Sequence, residues 1–303
     1  MAAQEIIEKI QKLKKSMGAV ILAHNYVNAE VQDIADITGD SLGLSIEAAR
    51  TSAPVIVFAG VRFMAETAKI LSPKAEVLLP VPDAGCPMAD MASADRVAEY
   101  RRSHPGTVMV AYVNTTAAVK AEVDICCTSA NADKVIRSLP PEAPVMFLPD
   151  RNLGANTAAR LHRPMELWPG FCPTHNRITV EDIRNARMAH PGALVMVHPE
   201  CLPEVVAEAD AALSTGGMLK YAKEAAADEF IVGTEHGIMH RMVLDNPGKR
   251  FYALQPVPLC VNMKKLSLEA VLHALESHTE QIELPAEIME KARRPIERML
   301  AIK

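Results

Sequence analysis

ALVMVHPECLPEVVAEADAALST, residues 193–215, reads as a short apolar strand, a Pro-containing turn and helix, and a second strand that stops at Ser-Thr. The same rhythm stands twice earlier, in AVILAHNYVNAEVQDIADITGDS (19–41) and TVMVAYVNTTAAVKAEVDICCTS (107–129). The three windows align without a gap and start 88 and 86 residues apart. Val31, Val119 and Val205 coincide, as do Asp36, Asp124 and Asp210. A strand buried on both faces reads as a continuous apolar run rather than an alternation. Each window is followed by a helix (42–50, 131–138, 217–226) and a strand (VIVFAG 55–60, VMFLPD 145–150, FIVGTE 230–235). Another helix and a last strand close the unit (VLLPVP 77–82, MELWPG 165–170, FYALQP 251–256). Strands alternating with helices predict parallel sheets covered on both faces. The expected fold class is α/β: three homologous Rossmann-like α/β/α sandwich domains with parallel sheets around a pseudo-threefold axis. The repeats span 1–86, 87–172 and 173–260, and a C-terminal segment, 261–303, packs back on the first repeat.

Bulk composition agrees. A chain of 303 residues with 49% hydrophobic content has ample core for two or three domains. A net charge of −5 gives no reason to expect nucleic acid or an anionic membrane as partner. No apolar run reaches the length of a bilayer span. The first residues, MAAQEIIEKIQKLKKS, read as a charged amphipathic helix with Ile6, Ile7, Ile10 and Leu13 on its apolar side, not as a signal peptide. A cytoplasmic location is expected, and with it thiols or metal ligands rather than disulfides for the six cysteines.

Any three strand–helix–strand stretches look somewhat alike, so the cysteines matter. Cys86, Cys172 and Cys260 each lie just past the last strand of a unit, 86 and 88 residues apart. They follow Ser41, Ser129 and Thr215 by 45, 43 and 45 residues. Nothing in a generic unit demands a cysteine there. If the units pack around one axis, equivalent positions converge at the carboxyl ends of the strands, where open parallel sheets build their sites. His24, Tyr112 and His198 then meet, with Tyr26, Asn114 and Glu200 two residues on. Ser41, Ser129 and Thr215 stand at helix starts, and STGGM (214–218) is the best phosphate cradle, because Gly216 and Gly217 allow close backbone approach. Three thiolates with a fourth position open suit either a zinc ion with water or a 4Fe-4S cluster with one iron free of protein ligands.

The remaining residues carry weaker signals. Cys126 and Cys127 are adjacent in a strand and read as small buried hydrophobes, and Cys201 as packing. His175, three residues after Cys172, is placed to line the cavity. His104, His190 and His278 recur near helix ends and read as C-terminal caps. Glu66 and Lys69 read as a solvated or interdomain helix face.

The chain resembles the quinolinate synthase family over nearly its full length. The segments that carry the resemblance include AHNYVNAEVQDIAD, GDSL, FAGVRFMAETAKIL, DAGCPMADM, PDRNLG, HPEC, STGGM, TEHGIMHR and CVNMKK. One departure is Gly85, where many members carry Thr before the cysteine. The resemblance implies an enzyme that condenses iminoaspartate with dihydroxyacetone phosphate to quinolinate. Phosphate and two waters are lost, and the product feeds de novo NAD biosynthesis. It implies one 4Fe-4S cluster per chain held by Cys86, Cys172 and Cys260, its open iron a Lewis acid. It implies Glu200 as the main acid/base, with His24, Tyr26, Tyr112, Asn114 and His198 orienting substrate and moving protons. Ser41 and Ser129 are implied as carboxylate binders, and His175, Ser214 and Thr215 as holders of the triose phosphate. Iminoaspartate is expected from an L-aspartate oxidase or aspartate dehydrogenase, with which functional coupling is possible.

Overall fold

Three apolar strand sets from the three windows form three separate four-stranded sheets, every pairing parallel. The computed structural model describes residues 2–302. The first sheet holds β1 (Ala19–His24), β2 (Ile37–Gly39), β3 (Val55–Ala59) and β4 (Glu76–Leu78). The second holds β5 (Val108–Tyr112), β6 (Ile125–Cys127), β7 (Val145–Leu148) and β8 (Glu166–Leu167). The third holds β9 (Leu194–Val197), β10 (Ala211–Ala212), β11 (Glu229–Gly233) and β12 (Arg250–Ala253). In each sheet the strands lie in the order second, first, third, fourth. The central strands are buried along their length, β3 and β7 without interruption, as the continuous apolar runs require.

The coincident aspartates have a structural task. Asp36, Asp124 and Asp210 each accept the backbone N–H of a residue early in the neighbouring first strand: Ile21 at 2.8 Å, Met109 at 2.8 Å and Val195 at 2.7 Å. Each also pairs with a cation from the preceding helix: Lys14, Arg101 and Arg187. The clip fixes where the second strand begins. It repeats because the fold repeats.

The helix starts depart in detail from the expectation. Ser41 and Thr215 are the first helical residues of Ser41–Arg50 and Thr215–Glu224, and the capping side chains belong to Asp40 and Ser214 one position earlier. In the second unit the helix Ala132–Arg137 begins later, behind an Asn131 turn, so Ser129 lies in the connecting loop.

The units are tied by buried polar contacts as well as apolar ones. Glu66 is buried rather than solvated, and it accepts the N–H of Ala117 at the start of the second unit's helix Ala117–Lys120 (2.8 Å). That helix carries Lys120, fully buried, which donates to the Thr115 carbonyl and lies over the Phe63 ring. At the C-terminus, helix Leu268–Ser277 lies on Ala3–Met17, and residues 280–282 bond antiparallel to β4, covering that edge. The last helix, Ala286–Ala301, reaches further than the first repeat: it packs on β6 and Ala117–Lys120 as well as on Arg62–Leu71. Its buried Ala292, Ile296 and Met299 follow the one-face spacing of an amphipathic helix. No helix among the described residues is long and apolar enough to cross a membrane.

Candidate active site

The carboxyl ends of the three sheets open on one cavity of about 270 Å³. His24, Tyr26, Ser41, Tyr112, Asn114, Ser129, His175, His198, Glu200 and Thr215 all line it, together with Cys86, Cys172 and Cys260. Ser214 does not: its hydroxyl accepts the Gly217 N–H at 3.1 Å, so it holds the turn that presents Thr215.

Each cysteine sits in the same local frame. The residue after the third strand's turn donates its N–H to the carbonyl two residues before the cysteine: Arg62 to Ala84, Arg151 to Gly170 and His236 to Pro258. One short helical turn follows each cysteine, at Pro87–Asp90, His175–Arg177 and Met263–Lys265. The backbone N–H three residues on, from Ala89, His175 or Met263, faces the sulfur. Burial pushes the Cys86 thiol up to about 12 and raises Cys172 and Cys260, against the pull of those N–H groups. None of the three is in a disulfide. An added Cβ at Gly85 would meet nothing within 4 Å, so a side chain before Cys86 has room.

Glu200 is the charge at the centre. It is 3% exposed, and its carboxylate accepts from Tyr112 Oη at 2.5 Å and from His175 Nδ1 at 2.7 Å. Burial alone would raise it, yet His198, His175 and the two hydrogen bonds hold it well below the usual carboxylate range. Its turn is gripped from the second unit: Asn152 donates to the Glu200 carbonyl (3.1 Å), and Asn156 to those of Pro199 and Cys201 (2.9 Å each). Burial and Glu200 raise the Tyr112 phenol well above 10.

His24 and His198 are equivalents in geometry as well as in position. Each accepts at Nδ1 the N–H of the residue two further on, Tyr26 (3.2 Å) or Glu200 (3.3 Å). Burial lowers both to about 3, against the pull of Glu200. Both rings are therefore neutral near pH 7 with the proton on Nε2, and His198 lends it to Ser129 Oγ at 3.2 Å. Asn114 Oδ1 is buried with no hydrogen-bond partner in the protein, an acceptor left for a ligand.

The expected phosphate cradle is filled from within. The Gly216 N–H donates to Asp40 Oδ2 (3.2 Å), while Asp40 Oδ1 caps its own helix at Gly43 N (2.8 Å). One carboxylate thus serves two helix starts from two units, and an added Cβ at Gly216 would come within 2.7 Å of it. The close backbone approach that Gly216 permits is used by the protein.

Some wall residues escaped the sequence reading. Arg177 lines the mouth, Glu235 is buried beside Cys260 and Lys264, and Thr234 lies behind the wall. Cys172, His175 and Glu200 bring three donor atoms within 4.8 Å of one another, a group able to hold a metal ion. Cys126, Cys127 and Cys201 are fully buried away from the cavity, as packing residues should be.

The model of the quinolinate synthetase A protein family matches residues 8–301. The quinolinate synthase of Geobacter metallireducens is 51% identical over 302 residues, 100% of this chain and 99% of the relative. That of Pelobacter propionicus is 53% identical over 298 residues, 98% of each. That of Methanoregula boonei is 52% identical over 295 residues, 97% of each. With the family model matched over residues 8–301 and relatives about half identical along nearly the whole chain, the chain belongs to the quinolinate synthetase A family.

Proposed function

We propose that this enzyme is a quinolinate synthase, which condenses iminoaspartate with dihydroxyacetone phosphate to quinolinate with loss of phosphate and two waters, in de novo NAD biosynthesis. The observation that carries this reading is the buried His175–Glu200–Tyr112 array beside three unpaired cysteines from three sheets. The reaction needs repeated proton transfers at carbonyl, enol and enamine forms. An ionised Glu200 takes a proton, and the Tyr112 phenol, held well above neutrality, returns one. His24 and His198 orient substrate oxygens with Nε2–H groups and carry no charge of their own. Tyr26 and Asn114 complete the orientation, the free Asn114 Oδ1 accepting an imine or hydroxyl proton. Ser41 and Ser129 hold carboxylate. His175 and Thr215 hold the triose phosphate, Ser214 acting through its turn, and Arg177 adds positive charge at the mouth.

A 4Fe-4S cluster on Cys86, Cys172 and Cys260 fits the donor set. The thiols are unpaired, partly buried and faced by N–H groups. Bound there, the cluster would supply an open iron as Lewis acid for loss of water. The domain boundaries 1–86, 87–172, 173–260 and 261–303, a cytoplasmic location and coupling to L-aspartate oxidase or aspartate dehydrogenase belong to the same proposal.

The test is direct: anaerobically purified protein, given iminoaspartate and dihydroxyacetone phosphate, should form quinolinate, identified by mass. Consumption of neither substrate would reject the reading.

A further inference from the structure

The hydrogen-bond network does not end at His175. Its Nε2 lies 2.8 Å from Thr234 Oγ1, and that oxygen lies 2.6 Å from Tyr26 Oη. Tyr26 Oη in turn accepts from Thr215 Oγ1 at 3.2 Å. The direction of the bonds is set by the His175 tautomer, whose Nδ1 lies 2.7 Å from Glu200 and 3.2 Å from Cys172 Sγ. With the proton on Nδ1, facing Glu200, Nε2 accepts from the Thr234 hydroxyl, and the Thr234 oxygen then accepts from Tyr26. The result is one polarised chain, Thr215 to Tyr26 to Thr234 to His175 to Glu200, with Tyr112 donating to the far carboxylate oxygen. Its members come from the first unit (Tyr26), the loop after Cys172 (His175) and the third unit (Thr234).

We propose that Thr234 is a positioning residue for the reaction: its hydroxyl aims the Tyr26 phenol and sets the rotation of the His175 ring toward Glu200. Thr234 is 1% exposed, so no water substitutes for it from bulk. Among the described residues its hydroxyl alone bonds to both Tyr26 and His175, whose rings stand 6.3 Å apart, tilted at 48°. The contrast with Thr157 is useful: that hydroxyl is equally buried and has no partner, so burial alone does not give a threonine this pair of contacts. The inference rests on the quinolinate synthase reading for its kinetic consequence, but not for its geometric one.

The test compares Thr234→Val, which keeps the shape and removes the hydroxyl, with Thr234→Ser, which keeps the hydroxyl. Thr234→Val should lower kcat about 10- to 100-fold with KM nearly unchanged, the signature of a misaimed group rather than lost binding. Thr234→Ser should restore most of kcat. Crystal structures of the variants should show Tyr26 or the His175 ring displaced in Thr234→Val and in place in Thr234→Ser. Unmoved Tyr26 and His175 in Thr234→Val overturn the proposal, whatever the wild type catalyses. So does a kcat loss that Ser fails to rescue and that tracks a lowered melting temperature. A wild type that makes no quinolinate defeats the functional reading instead, and the crystallographic comparison still decides the role of Thr234.

Discussion

Replacing Glu200 by Gln isolates the acid/base role from the architecture around it. The backbone of the turn is held by Asn152 and Asn156, neither of which touches the side chain, so the substitution stays local. In the wild type both carboxylate oxygens accept, one from Tyr112 and one from His175. A glutamine offers one acceptor and one NH2 donor at those places. The Tyr112 hydroxyl can turn to accept from the NH2, so neither partner goes unpaired, and the cost is that of exchanging a charge-assisted hydrogen bond for a neutral one, about 1–3 kcal/mol. Glu200 is held ionised in spite of its burial, so removing its charge also forfeits that net stabilisation, and the variant should melt at a lower temperature while remaining folded. The loss in catalysis is larger. Without a base at this position turnover should fall about 10²- to 10⁴-fold. The assay is steady-state quinolinate formation, with iron content and thermal melting measured on the same preparation. Near-wild-type turnover in a folded, iron-loaded Glu200→Gln protein would refute the role given to Glu200. Unfolding of the variant would refute the stability estimate.

Other perturbations separate the metal, the scaffold and the substrate pocket. Cys86→Ala, Cys172→Ala and Cys260→Ala should each lose bound iron, whereas Cys126→Ala, in β6, should keep it; iron and sulfide analysis decides, and an intact cluster in all three ligand variants sinks the tripod. Burial lowers Lys120 from 10.5 to about 8, so between those values the unfolded chain binds more protons than the folded one. Stability from this group therefore rises with pH across that window, by up to about 3 kcal/mol, and the rise should vanish in Lys120→Met when melting curves are compared from pH 7.5 to 10.5. Gly216→Ala forces a Cβ to within 2.7 Å of Asp40 Oδ2 and should part the two helix starts. Its KM for the triose phosphate should rise at least severalfold, and an unchanged KM would mean that this junction does not shape the phosphate pocket.

Much of this molecule was legible because it is written three times. The apolar runs gave the central strands, and the coincident Asp36, Asp124 and Asp210 marked a clip that the geometry repeats. The even spacing of Cys86, Cys172 and Cys260 marked three equivalent frames. Legibility failed where the symmetry is broken. The bonds Arg62–Ala84, Arg151–Gly170 and His236–Pro258 make Gly60, Pro149 and Thr234 equivalent positions. The quoted third-strand segments are thus one residue out of step in the first unit, and two of the three equivalents have no hydroxyl to suggest a role. Thr234 meets Tyr26 across 208 residues of chain, a distance over which no local pattern speaks. At Gly216 the glycine signals close approach, and the sequence does not say that Asp40 of the first unit is a group that approaches it. Ser214 was drawn toward the wall by its neighbour, while its own capping bond turns it away.

The measurement that tests the central claim most directly is an anaerobic purification, with iron and acid-labile sulfide counted per chain, a visible spectrum recorded, and quinolinate formation assayed on the same sample. Three thiols from three sheets around one open site predict about four irons and four sulfides per chain together with quinolinate from iminoaspartate and dihydroxyacetone phosphate. A colourless protein that holds one zinc, or no metal, and still makes quinolinate at full rate would contradict it.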